Sequence, residues 1–322
     1  MKHIRFTPWL GGLLQSCMFR RLNATRRAGL TLAPLITLLL SLAAPSLDAQ
    51  PLLEHVHGLA YAPDGKALFV PGHTGLAVFR DASWSEVDGP IHDFAGFSMA
   101  EGAMYASGHP PAGSPLPDPL GLVKSTDGGR TWRHLALGGE ADFHWVAAGY
   151  RSATVYVLST QANSAMPRPG LHWTRNEGRT WQRAAQRGLD AGLQVYGLAA
   201  HPHEAGTLAI ATPRGLYLST DAGDTFRRVS AGLAVTAVTF DYDGKHVLYA
   251  SAVRRQLLTA PLAGGKHRVT RLPKIGFDYA THIAQNPADP GTLAVATDRR
   301  HVFVTGNAGK DWRQIARDGD LP

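Results

Sequence analysis

The side chains of this chain best suited to chemistry are its histidines, fifteen in all, and a subset of them recurs at matching places around short apolar runs. His55 and His57, His92-Asp93, Asp142-Phe143-His144 and the pair Asp278 and His282 open such runs, while Gly72-His73 and Gly108-His109 close two of the runs that follow. Neutral imidazoles suit Zn, Cu, Ni or Fe, and a carboxylate beside an imidazole fixes its tautomer. His55, His57 and His144 are therefore candidate ligands for a divalent metal. The wider group, His55, His57, His73, His92, Asp93, His109, Asp142, His144, Tyr196 and His282, is a candidate site for a polar ligand. A third reading is that these residues only line a polar channel mouth. There is no His-Glu-x-x-His motif to decide among the three. Asp93, Asp142 and Asp278 are candidate carboxylates for an acid/base pair; their separation is not readable from sequence, so the catalytic assignment stays open. Arg214, Arg254 and Arg299 occupy equivalent loops and could clamp a carboxylate, although solvated loop arginines explain them more simply.

The elements that would position these groups repeat. Apolar runs appear at Ala67–Gly72, Ala103–Gly108, Thr154–Ser159, Thr207–Thr212, His246–Ser251 and Thr292–Thr297, and suit strands covered on both faces. Each is preceded by a shorter run: His55–Ala60, Asp93–Phe97, Phe143–Ala147, Val195–Ala199, Val235–Thr239 and Thr281–Ala284. Gly-Leu often opens the next strand, as at Gly75-Leu76, Gly121-Leu122, Gly170-Leu171 and Gly215-Leu216. A turn then follows with a shared pattern: Ser125-Thr-Asp127-Gly-Gly-Arg-Thr-Trp132, Thr174-Arg-Asn176-Glu-Gly-Arg-Thr-Trp181, Ser219-Thr-Asp221-Ala-Gly-Asp-Thr-Phe226 and Thr305-Gly-Asn307-Ala-Gly-Lys-Asp-Trp312. Asp127, Asn176, Asp221 and Asn307 lie 49, 45 and 86 residues apart, the last gap being a double period. A period near 45 built from short strands predicts an all-β β-propeller of four-stranded antiparallel blades. Six units argue for six blades, with seven as the alternative. First strands of a propeller line its axis. On that register His57, His144, Tyr196 and Thr281 occupy equivalent rungs, and the site should form at the axial mouth. Inserts at 109–120, with five prolines, and at 160–169 should rim it.

The turn resembles the Asp-box (BNR) repeat of sialidases, sortilin-type receptors and photosystem II assembly propellers. Further stretches, His55-Val-His-Gly-Leu, His92-Asp-Phe-Ala-Gly-Phe, Ser107-Gly-His-Pro and Asp142-Phe-His, resemble a bacterial family of exported Asp-box propellers labelled glycosyl-hydrolase-like. The resemblance implies a sialidase-type fold. In those families the box sits on the blade periphery, so Asp127, Asn176, Asp221 and Asn307 are structural. No Arg-Ile-Pro motif and no Tyr nucleophile with a Glu partner accompany it, so no catalytic set is carried over.

The net charge of +7 is concentrated in the first 49 residues, where Lys2, Arg5, Arg20, Arg21, Arg26 and Arg27 stand against Asp48. The remaining 26 basic and 24 acidic residues are nearly balanced, which argues against nucleic acid. Arg20 to Ala49 reads as a secretory leader, a basic cluster followed by the apolar run Leu30–Ala44, which is too short for a stable membrane span. Met18 could be the true start. Thr25-Arg26-Arg27 loosely resembles a twin-arginine signal and Leu14-Gln-Ser-Cys17 a lipoprotein box, ordinary secretion being the simpler reading. Cys17 is the only cysteine, so residues 50–322 hold no disulfide or thiolate site. The expectation is an exported, periplasmic or extracellular propeller, one domain over residues 50–322 and monomeric. It would be a non-catalytic binding or assembly-type protein for a polar small molecule, a glycan or a protein partner. The rival is a sialidase-like glycoside hydrolase working through the mouth carboxylates.

Overall fold

The computed structural model describes residues 53–321. The leader at 1–49, with Met18, Cys17 and the arginine pair, lies outside the described residues. Twenty-four strands, numbered in chain order, form six four-stranded antiparallel sheets, each built from four consecutive strands. Blade 1 runs from β1 (Ala60–Tyr61) to β4 (Ser83–Glu86), blade 2 from β5 (Asp93–Ala100) to β8 (Arg133–Ala136), and blade 3 from β9 (Val146–Ala148) to β12 (Gln182–Arg183). Blade 4 spans β13 (Gly197–Ala200) to β16 (Arg227–Ala231), blade 5 β17 (Val235–Phe240) to β20 (Arg268–Arg271), and blade 6 β21 (Ala280–Gln285) to β24 (Arg313–Ala316). The fold is a six-bladed β-propeller, and the seven-bladed alternative is excluded. No helix occurs among the described residues.

Side-chain size follows distance from the axis. First strands meet near the axis and carry small residues there, as in Val146-Ala-Ala and Gly197-Leu-Ala-Ala. Second strands are sandwiched between neighbouring blades, and β2 (Ala67–Gly72), β14 (Leu208–Thr212) and β22 (Leu293–Thr297) are buried at every residue. Fourth strands such as β4 and β12 are largely exposed, while β24 buries Ile315 and Ala316. The ring closes without a shared strand: Leu59, Leu68 and Val70 of blade 1 pack on Ala294, Val302 and Ile315 of blade 6. Trp84 Nε1 donates to the Ile315 carbonyl across this seam at 2.6 Å.

The repeated turn is a small hydrogen-bonded unit joining third and fourth strands. Asp127 Oδ1 accepts from Ser125 Oγ and from the Thr131 amide, and Ser125 Oγ accepts from the Gly129 amide. Asn176, Asp221 and Asn307 repeat the arrangement. Hydroxyl and amide contacts from Thr131 and Thr225 hold the Asp127 and Asp221 carboxyls down at about 2. Trp132 then packs against Phe94, with ring centroids 5.0 Å apart.

Candidate functional site

First strands begin, and second strands end, at one end of the ring, so residues at those ends meet around the axis. In blades 2, 5 and 6 a register shift leaves Ala95, Thr236 and Thr281 as extra residues. Counting back from the same end of the second strand, the equivalents are His57, His144 and Tyr196. Such a bulge re-aims a side chain: Ala95 and Thr236 are buried, Thr236 Oγ1 donating to the Ala280 carbonyl, and the other four face the axis. His57, His144, Tyr196 and Thr281 accordingly line an axial cavity of about 200 Å³, together with His282. Tyr150 and Tyr242 border its far end, edge to face at 4.5 Å.

Three first strands, β1, β9 and β13, are shorter than their apolar patterns suggest, while β5, β17 and β21 are longer. His55 and His57 precede β1 and stay outside its ladder, held by the His57 amide on the Pro71 carbonyl. Their segment is extended, so both rings still project to one side, stacked at 5.7 Å with an 11° interplanar angle. His73, in the turn after β2, closes on both, with centroids 4.5 Å from His55 and 4.7 Å from His57. His57 Nε2 and His73 Nε2 are 3.5 Å apart, and His73 Nδ1 lies 2.6 Å from Asp93 Oδ1. One donor atom from each of His55, His57 and His73 falls within 4.8 Å of the other two.

A second group continues from the first. His144 Nε2 is 2.9 Å from Asp142 Oδ2, and His109 Nε2 reaches the same oxygen at 3.5 Å. His109 Nδ1 contacts Asp118 Oδ1 at 2.5 Å, and this bond to Asp118 raises the His109 pKa. Oδ1 of Asp142 is buried with no hydrogen-bond partner among the described residues. The two groups sense each other: burial chiefly, then His73, with His55 and His144 also contributing, lowers His57 to about 4. Deep burial, aided by His57, brings His282 to about 4 as well. Both are neutral imidazoles at pH 7.

Two glycines make the approach possible. A Cβ on Gly72 would stand 2.6 Å from the His55 carbonyl oxygen, and one on Gly108 only 1.9 Å from that of Asp93. Gly-His at the end of the second strand therefore lets the entering chain lie against the turn.

The remaining candidates separate from this cluster. The His92 ring is 2% exposed, turned inward edge-on to Phe94, and burial lowers its pKa. Asp278 is buried and caps the amides of Tyr279 and Arg299. The three arginines are not joined by any contact among the described residues: Arg214 pairs with Asp190, Arg254 is held by its amide on Ser251, and Arg299 faces Asp318. Of the three expected metal ligands, His55 and His57 are joined by His73, whereas His144 turns to Asp142. The 109–120 insert supplies Asp118. The 160–169 insert is instead pinned back by Met166, fully buried beside Phe143, and by Ser164 on Glu140. Asp118 went unrecognised in the sequence because an acid within a proline-rich loop has no periodic signal. Asp241, Asp243 and His246 also cluster, but Asp241 is bonded to the His246 amide and ring and braces a turn at the other end of the ring.

No family profile and no curated protein sequence matches this chain. Solved structures do. The chain is built like known propellers. A GH74 enzyme from Niastella koreensis superposes with a TM-score of 0.55 at 16% identity over 81% of this chain and 45% of its own. A GH74 xyloglucanase from Xanthomonas campestris gives 0.51 at 17% over the same shares. A propeller in the nidogen/laminin complex gives 0.56 at 12%, covering 76% of this chain and 92% of that one. The chain thus spans less than half the length of either GH74 protein, and at these identities the likeness establishes the fold alone.

The same end of the ring also carries exposed apolar side chains. Ile91, Leu116, Tyr196, Val253, Phe277 and Tyr279 are exposed, Phe277 at 96% and Val253 at 70%. All belong to segments that connect strands at the mouth end, and the Arg255 guanidinium lies 5.2 Å over the Phe277 ring.

Proposed function

We propose that this chain is an exported binding propeller of the Asp-box type whose mouth face engages a protein partner, with the histidine pit accepting a polar group from it. The observation that carries this reading is the coincidence of the exposed apolar side chains with the His/Asp cluster at one end of the axis. Large hydrophobics clustered on one face mark an interaction surface more often than chance exposure. A pit of about 200 Å³ has room for a side chain or a few waters. The candidate carboxylates speak for binding over glycoside hydrolysis: Asp93 and Asp142 are each engaged by histidine, and Asp278 caps backbone amides. A propeller of comparable length serves the complex of nidogen with laminin.

The test compares capture from extracts of the native host by wild-type protein, by Phe277→Ser/Val253→Ser, and by Val269→Ser on the outer wall. A partner lost only with the mouth-face variant, and rebinding as a purified protein, supports the reading. Equal capture by all three refutes it. Turnover of a chromogenic glycoside, sialoside or xyloglucan oligosaccharide, abolished by Asp93→Asn or Asp142→Asn, would establish the hydrolase instead.

A further inference from the structure

We propose that His55, His57 and His73 form a binding site for one divalent transition metal of the Zn²⁺ type, with Asp93 as the carboxylate that orients His73. This goes beyond the partner reading and stands on its own geometry.

Two features carry it. First, the donor atoms are nearly in place. Zn–N bonds of 2.0–2.1 Å in a tetrahedron put two ligand nitrogens about 3.3 Å apart, and His57 Nε2 and His73 Nε2 stand at 3.5 Å. His55, the most exposed of the three, completes the set within 4.8 Å and needs only a small ring movement. Second, the tautomer of His73 is fixed. An ionised carboxylate only accepts, so His73 Nδ1 carries the proton given to Asp93 and Nε2 presents its lone pair to His57. This is the carboxylate–histidine–metal arrangement that raises ligand basicity.

The donor chemistry sets the class of ion. Three imidazoles without a carboxylate in the first rank favour Zn²⁺, Cu²⁺ or Ni²⁺ over Ca²⁺ or Mg²⁺, which prefer oxygen ligands. Three protein ligands leave a coordination position for a water or another small donor.

The experiment uses the full chain purified without a histidine tag, stripped with chelator and titrated calorimetrically with Zn²⁺. Co²⁺ serves as the optical probe, since low-symmetry four-coordinate Co²⁺ absorbs strongly in the visible. One equivalent of Zn²⁺ should bind, with no competition from Ca²⁺ or Mg²⁺. His55→Gln and His73→Gln lie outside the strand ladders and should keep the wild-type Tm while losing the Co²⁺ band. Asp93→Asn should weaken binding by about 10–100-fold. No stoichiometric binding, or binding undiminished in both histidine variants, overturns the site. Unchanged affinity in Asp93→Asn overturns the role of that carboxylate. Partner capture is read separately with Phe277→Ser/Val253→Ser, so a failed metal site and a failed partner reading are told apart.

Discussion

The position of the Asp142–His144 group depends on one buried hydroxyl, and removing it tests how the mouth is held. Ser107 on β6 (Ala103–His109) is fully buried, and its Oγ accepts the Phe143 amide at 2.9 Å. Phe143 lies between Asp142 and His144, so this bond fixes the chain as it enters blade 3. The next peptide is equally confined, because the Phe143 carbonyl oxygen sits over Gly96, 2.1 Å from where a Cβ would stand. In Ser107→Ala the Phe143 N–H would keep its burial and lose its acceptor, with little room for a replacing water. Leaving such a donor unmade costs about 1–3 kcal/mol. For a domain of this size, at about 2–4 °C per kcal/mol, Tm should fall by about 2–12 °C. Differential scanning calorimetry reads the stability, and ring-proton NMR of His144 reads the site. Ser85→Ala, on exposed β4, is the control and should change neither. A Ser107→Ala protein with unchanged Tm and an unmoved His144 resonance would show that the bond does not anchor the entry segment.

Other consequences can be checked with single substitutions. Gly108→Ala places a Cβ 1.9 Å from the Asp93 carbonyl oxygen at a φ of 149°, and should destabilise by about 3 kcal/mol or more in chemical denaturation. His109 should titrate above its ordinary 6.5, and Asp118→Asn should lower its midpoint in an NMR titration. The sign follows from the raised value: the ion pair adds stability below pH 6.5, and its contribution fades as pH rises through the elevated midpoint. Trp84→Phe removes the donor to the Ile315 carbonyl at the ring seam and should cost about 0.5–1.5 kcal/mol in urea unfolding.

The architecture was legible because each blade repeats one pattern. The apolar second strands gave the register, and the Asp/Asn turns gave the period. Both depend on local chemistry: Ser125, Asp127 and Thr131 bond within a single turn. What the pattern misjudged was the extent of the first strands, too long in blades 1, 3 and 4 and too short in blades 2, 5 and 6. Phe143–Ala147 reads as a strand, yet only Val146–Ala148 pairs, whereas Asp93–Phe97 extends to Ala100 and carries an extra residue at Ala95. Alternation cannot report a bulge, which adds one residue without changing composition.

The same bulge explains why the site was partly legible. Aligning His57, His144, Tyr196 and Thr281 required only the register of the second strands, and the structure puts all four on the axial cavity. His92 escaped this logic. It stands one residue before Asp93, and in an extended chain neighbours point to opposite sides, so a mouth-facing Asp93 sends the His92 ring into the core against Phe94. Asp93 could meet His73 only because Gly72 and Gly108 let the entering chains press against the turns, a close approach that needs coordinates to see. The arginines failed for the reverse reason. Arg214, Arg254 and Arg299 are equivalent in sequence, but each lies in its own blade, and long exposed side chains on separate loops settle on the nearest partner, as Arg214 does on Asp190. Equivalence in a ring therefore implies convergence only for residues that the inner strands turn toward the axis. His57 and His144 meet that condition, whereas His73 and His109, on second-to-third connections like the arginines, settle on Asp93 and on Asp118 and Asp142.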